Sequence, residues 1–276
     1  MPWNAKLKLD YAYEGQRSVV RFLHSGPLRI LQSLYPEGDA VCHNVLVHPP
    51  GGLVGGDQLD MTVCVGRHAH GLVTTPGAAR FYRSEGAHAC QNLRVKIDEG
   101  ARLEWLPLET LAYSGCLATN QAVFELAPGA ELITWDVTAL GLPAAGQAFE
   151  RGCFSQHLEI AGVWLEKGCI DAEDDRLMNG PLGLAGMRCL STLVFASGSP
   201  IARPRRDKAL ELVRTLIDTS HLKGSAGATS PHPQVLVVRV LSPLVEPAMD
   251  LLKQHSATWR TELWGMTPQR PRNWIS

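Results

Sequence analysis

Val95-Lys-Ile-Asp-Glu-Gly-Ala-Arg-Leu-Glu-Trp105 is followed, about 30 residues on, by Phe124-Glu-Leu-Ala-Pro-Gly-Ala-Glu-Leu-Ile-Thr-Trp135. The two segments share a layout: an alternating apolar run, a Gly-Ala turn, and a second run ending on tryptophan. Val63 to Leu72 has a similar strand-turn-strand shape. Alternation with a period of two puts every second side chain on one face of a strand, and glycine supplies the turn between two such strands. One such unit cannot bury its apolar face alone, whereas copies stacked at this period bury a continuous core. The repeat therefore predicts a mainly β fold, a helix-like, solenoid-like stack of strands. A β-sandwich whose hairpins share Gly-Ala turns is the alternative.

The same period recurs outward from the repeat. Ala5, Leu7, Leu9 and Tyr11 alternate with Lys6, Lys8 and Asp10; Leu59, Met61, Val63 and Val65 alternate with Asp60, Thr62 and Cys64. After the prolines at 200 and 204 the periodicity changes. Asp207 to Ser220 sets Leu210, Val213, Leu216 and Ile217 on one face, which predicts an amphipathic helix. A glycine-containing connector from Lys223 to Thr229 leads to a strand at Gln234 to Leu241. Pro243 to about Leu263 then predicts a second helix carrying Met249, Leu251, Leu252 and Trp259. Pro268 to Ser276, with Pro271 and Trp274, is expected as an extended anchor. The expected organisation is one domain over 1–276, a β-rich body over 1–200 and a helix-strand-helix unit with its anchor over 205–276, so two α-helices fall in the C-terminal third.

Composition narrows the function classes. The 276 residues are 45% hydrophobic and carry 26 basic against 27 acidic groups, a net charge of −1. That balance argues against nucleic acid or an anionic membrane as the main partner. Arg203, Arg205 and Arg206 beside Pro200 and Pro204 read as a solvated linker. Met1 to Ser18 has no apolar h-region and no stretch approaches about 18 apolar residues, so neither export nor membrane spanning is expected. Cys42, Cys64, Cys90, Cys116, Cys153, Cys169 and Cys189 are odd in number, far apart and without a Cys-x-x-Cys pair. They read as reduced thiols of a cytoplasmic protein, with Cys64 and Cys90 as small hydrophobes rather than nucleophiles.

His48-Pro-Pro-Gly-Gly-Leu-Val-Gly-Gly-Asp57 is the segment with most chemical content. Pro49 and Pro50 fix φ and remove two donors, while Gly51, Gly52, Gly55 and Gly56 permit positive φ and close backbone approach, which predicts a shaped loop with Asp57 at its rim. A phosphate cradle requires Lys and then Ser or Thr after the second glycine; Asp57 and Gln58 stand there instead, so nucleotide binding is not expected. His68 and His70, two apart on a strand, share a face and invite a cupin-like metalloenzyme reading, but Thr74 and Thr75 occupy the positions where that motif needs Glu. No Gly-x-Ser-x-Gly elbow anchors a hydrolase. Asp57, Glu109, Asp136 and Glu166 are single acids in apolar or turn-rich strand settings, where a carboxylate needs a partner or a cavity. Carboxylates lining a wet passage suit a divalent cation held briefly; ordinary edge-strand charge is the competing reading.

The His48–Asp57 loop, Thr74-Thr-Pro-Gly-Ala-Ala-Arg-Phe-Tyr-Arg83, Leu106-Pro-Leu-Glu-Thr110 with Tyr113, Leu132 to Asp136, and Leu263-Trp-Gly to Pro271-Arg-Asn-Trp274 occur in the order found in the urease accessory protein D family, called UreD or UreH, which the chain resembles over most of its length. The resemblance implies a non-enzymatic scaffold of nickel-urease maturation. Its implied partners are the urease apoenzyme, accessory protein F and, through F, the GTPase accessory protein G, with a dimer inside that complex left open. It also implies a mainly β stack with two helices, no permanently bound cofactor or metal, and a polar interior passage for transient Ni²⁺. On that basis Asp57 is the first passage candidate and Asp136 the second, ahead of Glu109 and Glu166, although Glu166-Lys-Gly departs from the family's expected Glu-Arg. Tyr82 and Arg83 are candidates for partner binding or passage lining. Leu210 and Val213 on the first late helix, and Met249 and Trp259 on the second, are candidates for docking accessory protein F, with packing on the β body as the competing use.

Overall fold

In the computed structural model, which describes residues 2–271 and Trp274, the first alternating run folds as β1 (Asn4–Glu14). Ala5, Leu7, Leu9 and Tyr11 are buried and the lysines between them exposed. A turn at Gly15 returns the chain as β2 (Arg17–Ser25), and β3 (Arg29–Leu34) and β4 (Cys42–Val47) form a second antiparallel pair. From there the chain winds. One coil runs through β5 (Gln58–Val65), β6 (His70–Thr74) and the short β7 (Ala79–Phe81). The next uses β8 (Ala89–Ile97), β9 (Arg102–Trp105) and β10 (Thr110–Ala112), and the third begins with β11 (Cys116–Leu126) and β12 (Glu131–Leu140).

Equivalent strands of successive coils pair in parallel: β5 with β8 and β8 with β11 in the first sheet, β6 with β9 and β9 with β12 in the second, and β7 with β10 and β10 with the end of β12 as a branch of the second. Gly100 and Gly129, at φ +68° and +75°, make the turns marked by the sequence repeat. The predicted solenoid-like stack is thus the observed architecture. Its windings close with β13 (Gly152–Ile160) and β14 (Trp164–Asp171), after which come a short α1 (Asp175–Asn179), β15 (Cys189–Ser197), α2 (Arg203–Thr219), β16 (Ala226–His232), β17 (Val235–Ser242) and α3 (Val245–Trp264). The first sheet has the order β14-β13-β11-β8-β5-β1-β2 and the second β16-β17-β15-β12-β9-β6-β4-β3.

Two apolar cores result. One lies between the sheets and includes Leu9, Phe124 and Phe154; the other lies between the second sheet and α2 and α3 and includes Phe195, Ile133 and Trp259. This explains β15, whose residues are buried on both faces apart from Leu190. Burying each large side chain contributes roughly 1.5–3 kcal/mol.

The two helices expected in the C-terminal third are present as α2 and α3, and a short α1 precedes them, capped by the Asp174 carboxylate, which accepts the Leu177 N–H. Three expectations need correction. Arg203, Arg205 and Arg206 are not a linker but the first turn of α2, where Pro204 is tolerated because its missing N–H has no helical acceptor. Leu210, Val213, Met249 and Trp259, offered as docking residues, are all buried beneath the helices on the second sheet. Trp259 is fully buried, and its Nε1 donates to the Ala209 carbonyl at 3.2 Å. Cys153 and Cys169 are joined as a disulfide, so the reduced-thiol reading fails for this pair. Sixteen residues separate them in sequence, but antiparallel pairing of β13 and β14 sets Cys153 opposite Asp171 and Ser155 opposite Cys169, making the two cysteines diagonal neighbours. Of the C-terminal anchor, Trp274 is described: its ring lies 5.1 Å from that of Trp135 and its Nε1 donates to Thr74 Oγ1 at 2.9 Å. The rest of that expected anchor beyond Pro271 falls outside the described residues.

Candidate functional site

The glycine-rich loop connects β4 to β5, and its four glycines serve two needs. Gly51 and Gly56 adopt φ of +78° and +92°, which a side chain resists. Gly52 and Gly55 have ordinary φ but no room: a Cβ on Gly52 would meet Tyr82 Cε2 at 2.3 Å, and one on Gly55 would meet Ser84 Oγ at 2.2 Å and the Ala87 carbonyl at 2.8 Å. The neighbour responsible is the Thr74–Arg83 segment for Gly52 and the turn just after it, at Ser84 and Ala87, for Gly55. Leu53 N–H donates to the Arg80 carbonyl at 2.7 Å, Tyr82 N–H donates to the Leu53 carbonyl at 2.8 Å, and Arg80 Nη1 reaches the Gly51 carbonyl at 3.2 Å. Two separate motifs of the sequence are therefore one structural unit. Gly52→Ala is expected to destabilise the protein by about 1–3 kcal/mol through overpacking against Tyr82. Urea unfolding checks this, and a change below about 0.5 kcal/mol would contradict the packing argument. Tyr82 is half-buried against the loop and 4.9 Å from the Tyr113 ring, while Arg83 remains exposed.

Asp57 is buried at 1% exposure, and its carboxylate accepts the Trp3 N–H at 2.7 Å and the Val54 N–H at 2.9 Å. It clamps the N-terminus and the loop to each other and does not line the cavities beside them. The first of these is a cleft of about 240 Å³ bounded by His48, Gly51, Gly52, Thr75, Arg80 and Gln91. The second, of about 60 Å³, lies between the sheets against Gln91, Asn120, Trp135 and Asp136. Leu46, Thr75, Ala79 and Gln91 border both, so the two adjoin.

A row of amides runs through this interior. Gln91 of β8, Asn120 of β11 and Gln156 of β13 stand in register on the inner face of the first sheet, one coil apart. Gln91 Nε2 donates to Asn120 Oδ1 at 3.1 Å, and Asn120 Nδ2 donates across to Asp136 Oδ2 on the second sheet at 2.9 Å. Thr138 Oγ1 completes the set by donating to Asp136 Oδ1 at 3.0 Å. Burial pushes the Asp136 carboxyl up from 3.8 to about 6; the Thr138 and Asn120 hydrogen bonds oppose the rise and the charge of Glu166 adds to it. What surface Asp136 retains borders the cavity. Glu166, on the edge strand β14, accepts from Thr192 Oγ1 at 3.2 Å and pairs with Arg239 Nη2 at 2.5 Å.

Of the four acids singled out by sequence, Asp136 feels the charge of Glu166, whose own partners are Thr192 and Arg239, Asp57 stands apart as a backbone clamp, and Glu109 is half-buried and lines neither cavity. His68 and His70 do not share a strand face. His68 is exposed in the turn before β6 at φ +61°, whereas His70 is buried and bonded through Nε2 to Glu104 Oε1 at 2.9 Å. The cupin-like constellation is therefore not formed. No cluster of three or more His, Cys, Asp or Glu side chains with metal-holding geometry occurs among the described residues.

His48 lines the first cleft, and its Nε2 is buried without a hydrogen-bond partner. Burial holds its imidazole below the usual value despite the opposing influence of Asp57.

Beneath α3 lies a charged network that the single-acid argument passed over. Arg260 Nη2 reaches both oxygens of Glu37 at 2.8 and 3.0 Å, and its Nε lies 3.0 Å from Glu104 Oε2 as an ion pair without an aligned hydrogen bond. Glu37 also receives His43 Nε2 at 2.7 Å. Glu104 sits between Leu103 and Trp105, the same apolar setting that drew notice to the other acids, so the signal was present.

Comparison with known proteins places these features in context. The family model described as "UreD urease accessory protein" matches residues 4–275. The chain is 61% identical to the "Urease accessory protein UreD" of Variovorax paradoxus (strain S110), with all of both chains covered. It is 50% identical to that of Leptothrix cholodnii (strain ATCC 51168 / LMG 8142 / SP-6) and 47% identical to that of Methylibium petroleiphilum (strain ATCC BAA-1232 / LMG 22953 / PM1), with 99% of each pair covered.

Proposed function

This chain belongs to the UreD urease accessory protein family, and from that premise we propose that it works in urease maturation as a non-catalytic, cytoplasmic chaperone that aligns the urease apoenzyme with accessory proteins F and G and lets Ni²⁺ pass through its interior. Ni²⁺ is cargo here, not a resident cofactor. No helix among the described residues is long and apolar enough to cross a membrane.

The single observation supporting the passage is the adjoining pair of cavities with an ordered polar row from Gln91 through Asn120 to Asp136. Amide and carboxylate oxygens accept a hydrated divalent cation without the tight hold of a thiolate. The Asn120 and Asp136 oxygens are already hydrogen-bonded within the protein, so a cation exchanging places with these donors meets a prearranged path and no deep trap. Asp136 supplies negative charge at neutral pH, and Glu166 extends the acidic character towards the sheet edge.

The test is the nickel content and activity of urease purified from matched cells expressing the structural and other accessory genes, with and without this chain. Nickel-poor, inactive urease in its absence is the expected result. Equal nickel and activity in both would overturn the maturation role.

A further inference from the structure

Alternation along two neighbouring strands places the bonded cysteines on the solvent side of the first sheet. On β13, Phe154, Gln156, Leu158 and Ile160 are buried, so Cys153 faces outward with Ser155 and His157. On β14, Ile170 is buried between the exposed Cys169 and Asp171. Cys169 alone among the seven cysteines is exposed. Cys42, Cys116 and Cys189 are free and buried, and Cys64 and Cys90 are free and half-buried.

The bond closes nothing that the fold leaves open. β13 and β14 are consecutive strands that pair antiparallel from Cys153 with Asp171 to Ile160 with Trp164. The two Cα atoms lie 6.5 Å apart, a span that a disulfide bridges without backbone movement. Strand pairing therefore keeps the two thiols within reach when the bond is open. A bond across so short a loop also constrains the unfolded chain less than a long-range one would. Its position gives it a different lever. β14 ends the first sheet with β13 as its neighbour, and it carries Glu166 across to Thr192 and Arg239 of the second sheet.

We propose that Cys153 and Cys169 form a reversible thiol–disulfide site, which exchanges with low-molecular-weight disulfides and sets how firmly the edge strand β14 is held. In the cytoplasm, the compartment proposed above, disulfides are usually transient and redox-sensing. Only that compartment argument rests on the proposed function. The exchange balances in two steps. The Cys169 thiolate, the accessible one, attacks the small disulfide, forms a mixed disulfide and releases one small thiolate. The Cys153 thiolate then attacks the Cys169 sulfur, closes the protein bond and releases the second. The cysteine pair loses two electrons, the small disulfide gains them, and the two cysteine protons end on the two released thiolates. Excess small thiol runs the sequence backwards.

The test equilibrates the purified full-length chain with mixtures of reduced and oxidised glutathione, quenches with acid, alkylates under denaturing conditions and weighs the product. Seven alkyl groups mark the reduced chain and five the bonded one. The expected result is a complete, reversible shift from seven to five as the oxidised share rises, with peptide mapping placing the lost pair at Cys153 and Cys169. Hydrogen exchange on the same samples is expected to be faster across β14 in the reduced chain and unchanged across β5 and β8. Cys153→Ser should stop the sequence at the mixed disulfide and retain glutathione on Cys169. Cys169→Ser should retain little, because the half-buried Cys153 is the poorer entry point. If neither serine variant folds, the wild-type mapping still assigns the pair. Five labels in the most reducing mixture would make the bond a permanent staple and overturn the site. Seven labels in the most oxidising mixture, or loss of labels at another pair, would overturn it as well. Equal exchange across β14 in both states would overturn the hold on the edge strand. No readout here involves urease or nickel, so this site and the maturation role stand or fall separately.

Discussion

Replacing Arg260 by alanine is expected to cost about 3–5 kcal/mol of folding stability. Arg260 is 3% exposed and binds Glu37 and Glu104, which come from the β3–β4 connection and from β9. Truncation leaves two buried carboxylates facing a space that no longer contains a cation. Urea unfolding of the purified chain measures the loss, and a cost below about 1 kcal/mol would show that the network is no more than a surface-type pair. Arg260→Lys is expected to recover only part, because one ammonium cannot present the planar fork that spans both acids. The pair also has a pH signature. Burial tends to raise the Glu37 carboxyl, but the His43 hydrogen bond together with the Arg260 charge outweighs it and leaves Glu37 below its ordinary value. A depressed native value contributes stability that is present above the unfolded-state value and lost as pH falls through the native one. Arg260→Ala should therefore lose its disadvantage progressively in acid.

Asp136→Asn is expected to change the pH dependence of stability and to impair function. The native carboxyl titrates at about 6 against an ordinary 3.8, so the native state holds this proton more tightly than the unfolded chain does. Stability then falls as pH rises from about 3.8 to about 6, and the whole cost remains at neutral pH. The shift corresponds to at most about 3 kcal/mol. Asn keeps the size and can still accept from Thr138, but its Nδ2 then meets the Asn120 Nδ2 donor and that amide must turn over, so the variant's stability relative to wild type should rise from pH 4 to pH 7.5. The same change removes the negative charge from the inner cavity, and nickel in urease matured with this variant is expected to drop on the order of tenfold. A variant whose relative stability does not rise with pH and whose nickel delivery is unimpaired would mean that Asp136 is ionised without strain and is not part of the path. Together the two effects express a common trade, in which a site holds an unfavourable charge because its task needs it.

Much of the architecture was legible because it is local. The alternation in Ala5 to Tyr11 predicts a strand buried on one side, and β1 is that strand. The Gly-Ala turns at Gly100 and Gly129 mark the corners of successive coils. The basic run at Arg203 misled because proline and three arginines resemble a linker in composition, whereas Arg205 is drawn into the fold by Glu131, to which its Nη1 donates at 2.7 Å. The apolar faces of the late helices were read correctly as periodic, but period alone does not say what covers them, and α2 and α3 bury theirs on the second sheet. The disulfide was missed for a similar reason: 16 residues of separation carry no signal until β13 and β14 pair.

The site divides along the same line. Asp57 stood out because it closes a glycine-rich loop, and it proves to be that loop's own clamp, with both carboxylate oxygens taken by backbone N–H groups. Asp136 was recognisable as an acid among apolar neighbours, but its partner Asn120 carried no mark, and neither did Gln91, one coil further away.

Sequence alone determined the alternating strands and the coil period, since each depends on residue order within a few tens of positions, and it marked the family through motifs spread in order along the chain. Only the tertiary structure decided which polar groups meet. Parallel stacking brings Gln91 beside Asn120, 29 positions apart, and sheet-on-sheet packing then sets Asn120 against Asp136. The physical reason is that a strand's two-residue period assigns each side chain to a face but leaves its neighbour on the next coil open. That neighbour is set by the register in which successive coils pack, and a one-residue slip would turn the whole polar row out of the interior.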